Sequence, residues 1–185
     1  MAVDTDRILR EIEDQAKREF LPILGREKGA FLERLVKEKS PCVAVEIGAL
    51  VGYSTVLIGR NIPEGCMLFS LEISEELARR AEAAVTLAGL SSTAAVIRGD
   101  AHEHLSAVKG PVDFVLIDAE RSQFLNYLKK IEPKLRSGSV VVANVAPNAS
   151  RTLAAYFDYV RKSGMFDSSH PVFSDGALEV SVYRG

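Results

Sequence analysis

Short apolar runs alternate with amphipathic stretches along the chain, and this alternation sets the expected architecture. Ile8, Leu9, Ile12, Ala16 and Phe20 recur at helical spacing within the charged segment Asp4–Phe20 and predict a first helix. A second is predicted over Glu27–Lys39, with Phe31, Leu32, Leu35 and Val36 on one face, and Pro22 and Gly25 break the chain between the two. Five apolar runs then read as strands: Cys42–Ile47, Cys66–Leu71, Thr93–Arg98, Val112–Ile117 and Ser139–Val145. Helices are expected over Tyr53–Asn61, from Ser74 to near Gly89, over Ser122–Leu135 and over Ser150–Ser163. Ser74 suits a helix cap, and the acids that follow it suit the positive end of the helix dipole. The tail adds two strands, Ser168–Phe173 and Ala177–Tyr183, joined by the hairpin signal Ser174-Asp175-Gly176. The expected fold is therefore α/β: a mostly parallel seven-stranded sheet with helices on both faces and an antiparallel C-terminal hairpin.

Composition narrows the function classes. The chain has 185 residues, of which 47% are apolar and 26% charged, as in ordinary globular proteins. No repeat or Pro/Gly-rich linker divides it, so residues 1–185 are expected to form one domain. In it, residues 1–40 supply helices over a site built on residues 41–185. The net charge of −2 calls for no polyanionic partner. Lys129, Lys130, Lys134, Arg136, Arg161 and Lys162 read as solvated helix faces, so a nucleic-acid partner is not expected. No apolar run reaches the roughly 18 residues of a spanning helix, so no membrane partner is expected. Met1–Arg10 has no apolar core of a secretory signal. Cys42 and Cys66 are too few for a disulfide framework or a zinc site, and are expected to be reduced and buried in a cytoplasmic protein.

In open parallel sheets ligands bind outside the carboxyl ends of the strands. The residues there are Glu46, Ile47 and Gly48, then Glu72, Asp100, Asp118 and Asn144. Gly48 allows a sharp turn out of the first strand, and Gly52 lets the next helix start close to a ligand. Leu50 occupies the place where a dinucleotide fold needs its second glycine, which counts against a dehydrogenase. Glu72 follows Gly52 by 20 residues and suits the two hydroxyls of a ribose. Asp100 would meet the adenine end of a nucleoside, and Asp118 lies where a donor group would meet its acceptor. His102 and His104, two residues apart on a helix, point in different directions and make a poor chelate.

These residues stand within longer matches. The segments Leu24-Gly-Arg-Glu-Lys-Gly29 and Val45-Glu-Ile-Gly-Ala-Leu-Val-Gly-Tyr-Ser54, with Glu72-Ile73, Gly99-Asp-Ala101, Leu116-Ile-Asp118 and Asp175–Arg184, resemble the class I S-adenosylmethionine-dependent methyltransferases, specifically the catechol O-methyltransferase family. The resemblance runs from about Phe20 to the end of the chain and implies a Rossmann-like methyltransferase fold. It implies that Glu46, Gly48 and Ser54 hold the methionine part of S-adenosylmethionine and that Leu24 covers it. Glu72 and Ile73 would take the ribose and flank the adenine, Ala101 and His102 would approach the adenine, and Asp118 would lie near the sulfonium. A homodimer is expected on the same ground.

The chain departs from the family at two places on the acceptor side. The family binds a divalent cation, usually Mg²⁺, through the Asp closing strand four and an Asp-Asn pair closing strand five. Here Asp118 and Asn144 are present, but Ala143 replaces the second acid. The metal site is thus expected to be depleted, because affinity for a hard cation depends on ligand charge. Arg121 stands where the family often has a lysine base; it stays protonated and suits an anionic acceptor instead. Phe124 and Tyr127 are expected to pack their helix on the sheet. The expected function is O-methylation of a small catechol-like or phenolic acceptor, with Asp118, Arg121 and Asn144 at the reacting centre. The alternatives are methylation of tRNA or protein, and cofactor binding without catalysis.

Overall fold

In the computed structural model, which describes residues 3–147, 149 and 151–185, eight strands form one sheet. The helices α1 (Thr5–Glu19) and α2 (Arg26–Lys39) come first. They are followed by β1 (Val43–Ile47), α3 (Tyr53–Gly59), β2 (Met67–Glu72), α4 (Glu75–Leu87), β3 (Ala94–Arg98), the short α5 (Ala101–His104) and β4 (Val112–Ile117). The second half holds α6 (Phe124–Ile131), β5 (Leu135–Val145), α7 (Ala154–Lys162), β6 (Phe166–Ser169), β7 (Val172–Phe173) and β8 (Gly176–Tyr183). The strand order is β3-β2-β1-β4-β5-β8-β6, with β7 paired beside β6 on β8. Strands β1 to β5 run parallel; β8 runs antiparallel to β5, β6 and β7.

Side-chain alternation along the strands divides the interior into two cores. Ala44, Leu68, Phe114, Leu116 and Val142 face α1 to α4. Val45, Ile47, Val115, Ile117 and Ala143 face α5 to α7. The central strands are buried on both faces, which explains their near-continuous apolar runs. Register brings the strand ends level: Ile47 lies opposite both Leu71 and Ile117, and Ile117 lies opposite Ala143. The functional edge of the sheet is thereby assembled from β1, β2, β4 and β5.

Prolines explain most differences from the predicted elements. The helix expected over Ser122–Leu135 is cut to α6, flanked by 3₁₀ turns over Arg121–Gln123 and Glu132–Lys134. Pro133 has no N–H to continue the ladder, and β5 starts two residues later. Pro171 likewise divides the predicted strand Ser168–Phe173 into β6 and β7, so the sheet has eight strands instead of seven. Of the helix expected over Ser150–Ser163, Ser150 lies outside the described residues, and α7 starts at Ala154. Met1 and Ala2 lie outside them as well. Ser74 caps α4 as expected, accepting the Leu77 N–H at 3.4 Å. No described helix is long and apolar enough to cross a membrane.

The cysteines differ from expectation. Cys42 and Cys66 start adjacent strands, their Cα atoms lie 4.4 Å apart, and their sulfurs are bonded. Cys42 is exposed and Cys66 half-buried, so neither is the reduced, buried thiol expected. Sequence spacing cannot reveal this pair, because strand pairing is what brings them together. A bridge closing 24 residues contributes roughly 3 kcal/mol by restricting the unfolded chain. Thiol titration of the denatured protein is therefore expected to find no free thiol before reduction and two after. The reduced protein is expected to lose roughly 3 kcal/mol in denaturant unfolding.

Candidate functional site

A cavity of about 500 Å³ opens over the carboxyl ends of β1, β2 and β4, roofed by the segment between α1 and α2. That is within the usual size of small-ligand sites. Its floor depends on Gly48, whose φ is +99° and where a Cβ would stand 2.1 Å from the Asp118 carbonyl oxygen. No other residue can make that turn. Gly52 plays the corresponding part against α4, where a Cβ would meet the Ala81 Cα at 3.1 Å. Leu50, between them, adopts φ +51°, a left-handed conformation that costs a side-chain-bearing residue roughly 1–2 kcal/mol. Its N–H donates to Glu72 Oε2 at 2.8 Å, which holds the turn in place.

Of the residues singled out in the sequence, Leu24, Gly48, Ser54, Glu72, Ile73, Asp100, Ala101, Asp118, Arg121 and Asn144 all line this cavity. Glu72 Oε1 also accepts the Ser74 N–H at 2.9 Å, so its two oxygens are oriented by backbone while each keeps a second lone pair. Asp100 Oδ1 caps α5 through the His102 N–H at 2.8 Å. Three of the predicted residues, Glu46, Gly52 and His102, are not in the lining. The His102 ring stacks near Tyr127, with centroids 4.7 Å apart, and Nε2 reaches Gln123 at 3.2 Å. The His104 ring turns to the Arg98 carbonyl instead, so the two histidines share no ligand position.

Glu46 is fully buried because its place on β1 points it toward α3. Oε2 accepts the Thr55 hydroxyl at 2.6 Å and the Ser70 hydroxyl, while Oε1 has no partner. Burial pushes this carboxyl up to about 7; the hydroxyls of Ser54, Ser70 and Thr55 oppose the shift and the nearby Asp118 adds to it. Asp118 itself, on the cavity floor, is pushed up to about 6 by burial, against the Asn144 hydrogen bond and the charges of Lys28 and Arg121.

Among the lining residues not singled out from the sequence are Lys28, Tyr53 and Asp175. Lys28 comes from α2, and its Nζ donates to Asn144 Oδ1 at 3.0 Å and pairs with Asp175 Oδ2 at 3.4 Å. Asn144 Nδ2 in turn donates to Asp118 Oδ1 at 2.9 Å. The adjacent Glu27 accepts the Ser174 N–H and hydroxyl, tying α2 to the β7–β8 turn. Tyr53 donates to Glu13 Oε1 at 2.8 Å, and Arg26 donates to Glu13 Oε2 at 2.6 Å, tying α1 to the roof. The sequence signal for Lys28 is its place beside Gly29, where a Cβ would press on Leu57 at 3.0 Å. That close packing fixes the direction of the first turn of α2.

The floor fits a divalent cation poorly. The one oxygen that Asn144 can offer already accepts from an ammonium, and Ala143 is buried in the second core opposite Ile117. A dication about 4 Å from that ammonium would be repelled by roughly 8 kcal/mol at an effective dielectric of about 20. Among the described residues no three His, Cys, Asp or Glu side chains converge on one point. The lining nonetheless carries five carboxylates, Glu72, Asp100, Asp118, Glu120 and Asp175, against two cations, and so favours a positively charged ligand. Most basic residues of α6, α7 and β5 are paired locally with carboxylates: Lys129 with Glu132, Arg136 with Asp113, Arg161 with Glu179 and Lys162 with Asp158, while Lys130 donates to the His102 carbonyl.

A family model described as O-methyltransferase matches residues 1–150. The catechol O-methyltransferase of Sus scrofa is 31% identical over 180 residues, covering 88% of this chain and 93% of that protein. Catechol O-methyltransferase B of Danio rerio is 30% identical over 183 residues, covering 91% and 68%. Among solved structures, the O-methyltransferase from Bacillus cereus in complex with SAH superposes with a TM-score of 0.85 at 23% identity, covering 95% of this chain and 90% of that one. The O-methyltransferase TomG from Streptomyces achromogenes, in complex with SAM, gives 0.84 at 20% identity, covering 100% and 93%. Both show the same mostly parallel α/β fold.

The state of Glu46 is open to measurement. A carboxyl held above its ordinary 4.5 gives full stability only below that value and loses it as pH rises through about 7. Glu46→Gln is expected to be more stable than the wild type at pH above that range, by about 3 kcal/mol, and to lose the advantage as pH falls toward the ordinary value. Parallel pH–stability curves of the two proteins would show that the carboxyl is not held high.

Proposed function

Because the chain belongs to the O-methyltransferase family, we propose that it transfers a methyl group from S-adenosylmethionine to a hydroxyl of a small catechol-like or phenolic acceptor. The observation that carries this reading is Glu72 on the cavity wall: a carboxylate fixed by two backbone N–H groups, with lone pairs left for the two hydroxyls of a ribose. In this reading Ile73, Asp100 and Ala101 take the adenine side, and Ala101 does so in place of His102, whose ring is turned away. Gly48 and Ser54 adjoin the methionine part under Leu24.

The chemistry of the donor set supports a cationic ligand. Five lining carboxylates form a field suited to a group carrying an ammonium and a sulfonium. When bound, S-adenosylmethionine supplies the methyl group. The residues of this chain orient the two reactants and exclude water, and such positioning contributes roughly 7–11 kcal/mol in favourable cases. Arg121 is exposed at the cavity edge and would meet an anionic acceptor. No base is assigned to it, since its guanidinium keeps its proton. The local ion pairs of Lys129, Arg161 and Lys162 speak for a small acceptor over tRNA.

Calorimetric titration tests the cofactor site. Wild type is expected to bind S-adenosylmethionine saturably, and Glu72→Ala to bind it at least about 100-fold more weakly, as for the loss of two charge-assisted hydrogen bonds. Absence of binding to the wild type would end the methyl-transfer reading. A homodimer is part of the same proposal, and sedimentation equilibrium should give twice the chain mass. Placement in the cytoplasm, where thiols are kept reduced, calls for a chain that stays folded with the Cys42–Cys66 bridge open, which the denaturant unfolding of the reduced protein tests.

A further inference from the structure

Lys28 has a side chain only 5% exposed, although lysine is among the residues least often buried. Taking an ammonium out of water is costly unless acceptors surround it. Here they come from two elements far apart in sequence: Asn144 Oδ1 on β5 at 3.0 Å, and Asp175 Oδ2 on the β7–β8 turn at 3.4 Å. The charge of Asp118 acts on the same group, and the Glu27–Ser174 contact beside it holds α2 against that turn. Lys28 lines the cavity together with Asp118 and Asn144, the two positions that a divalent ion would use in the family.

An ammonium carries three donor protons. Asn144 accepts one of them, Asp175 faces the group as an ion pair, and the ammonium lines the cavity with donor capacity to spare. We propose that the Lys28 ammonium is the built-in cation of the acceptor site, standing in place of a divalent ion and binding one acceptor oxygen as its oxyanion. This deepens the methyl-transfer reading and rests on it. The acceptor hydroxyl releases its proton to solvent, and the oxyanion is held by Lys28. The oxygen lone pair then forms the bond to the methyl carbon as the carbon–sulfur bond breaks, and that bonding pair stays on sulfur. Lys28 ends the step as it began, still an ammonium.

The substitution has a consequence for substrate class. A divalent ion can chelate two vicinal oxygens, whereas an ammonium already donating to Asn144 and paired with Asp175 does not clamp two at once. A single positive charge also stabilises an oxyanion less than a double one does. The acceptors are therefore acidic phenols, and a vicinal diol is not required.

The test uses the wild-type protein with S-adenosylhomocysteine and 4-nitrophenol, whose anion absorbs in the visible. At a pH about one unit below the phenol's own pKa, binding is expected to raise the phenolate band several-fold, since a tenfold change in ionisation is one unit. Lys28→Met should abolish that rise while still binding S-adenosylhomocysteine. Mn²⁺ followed by paramagnetic resonance should show no saturable binding to the wild type at micromolar concentrations, and methyl transfer should run equally with chelator and with Mg²⁺. One tightly bound Mn²⁺ per chain, chelator-sensitive turnover, or 4-nitrophenol bound as the neutral form would overturn the proposal. Should Lys28→Met fail to fold, the wild-type absorbance and Mn²⁺ results decide alone. Failure of S-adenosylhomocysteine to bind the wild type would instead remove the underlying methyl-transfer reading, and the Mn²⁺ result would still decide whether Lys28 excludes the ion.

Discussion

Gly48 has no side chain because there is no room for one. A Cβ there would stand 2.1 Å from the backbone oxygen of Asp118. That contact locks the exit of β1 against the exit of β4, and the Asp118 N–H donating to the Ile47 carbonyl at 2.8 Å closes it from the other side. Everything around the cavity follows from these two strands ending together. The turn after Gly48 sends Leu50 across to Glu72, Gly52 lets α3 start tightly against α4, and Asp118 is left on the floor beside Asn144. A wider turn would move the strand-end acids apart and leave the cavity without its field.

The buried charges fall into two kinds, and the difference separates scaffold from site. Asp113 accepts two backbone N–H groups at the start of β1 and pairs with Arg136. Glu179 is held by Arg161 and His170. Glu13 joins Tyr53 and Arg26. Each of these carboxylates has its desolvation offset by partners from the fold itself. Glu46 and Lys28 are different. Glu46 keeps one oxygen without a partner, and Lys28 donates to Asn144 and pairs with Asp175 while facing the cavity.

The sequence alone determined the order of elements, the polarity of the sheet and most of the strand-end acids around the cavity. Periodicity and turn chemistry are local, and the carboxyl ends of parallel strands must lie along one edge, so Gly48, Glu72, Asp100 and Asp118 could be placed together without coordinates. Its errors came where local pattern gives no sign of a partner. Pro133 and Pro171 cut elements that hydrophobic spacing would continue. Glu46 closes a strand like the other acids, but the alternation of β1 turns it inward to Thr55 and Ser70. The Cys42–Cys66 bridge depends on which strands become neighbours. Lys28 lies 116 residues from Asn144 and 147 from Asp175. Only the packing of α2 over the ends of β5 and the β7–β8 turn places that ammonium beside Asp118, because the electrostatics of a buried group are set by what surrounds it in space, whatever precedes and follows it along the chain.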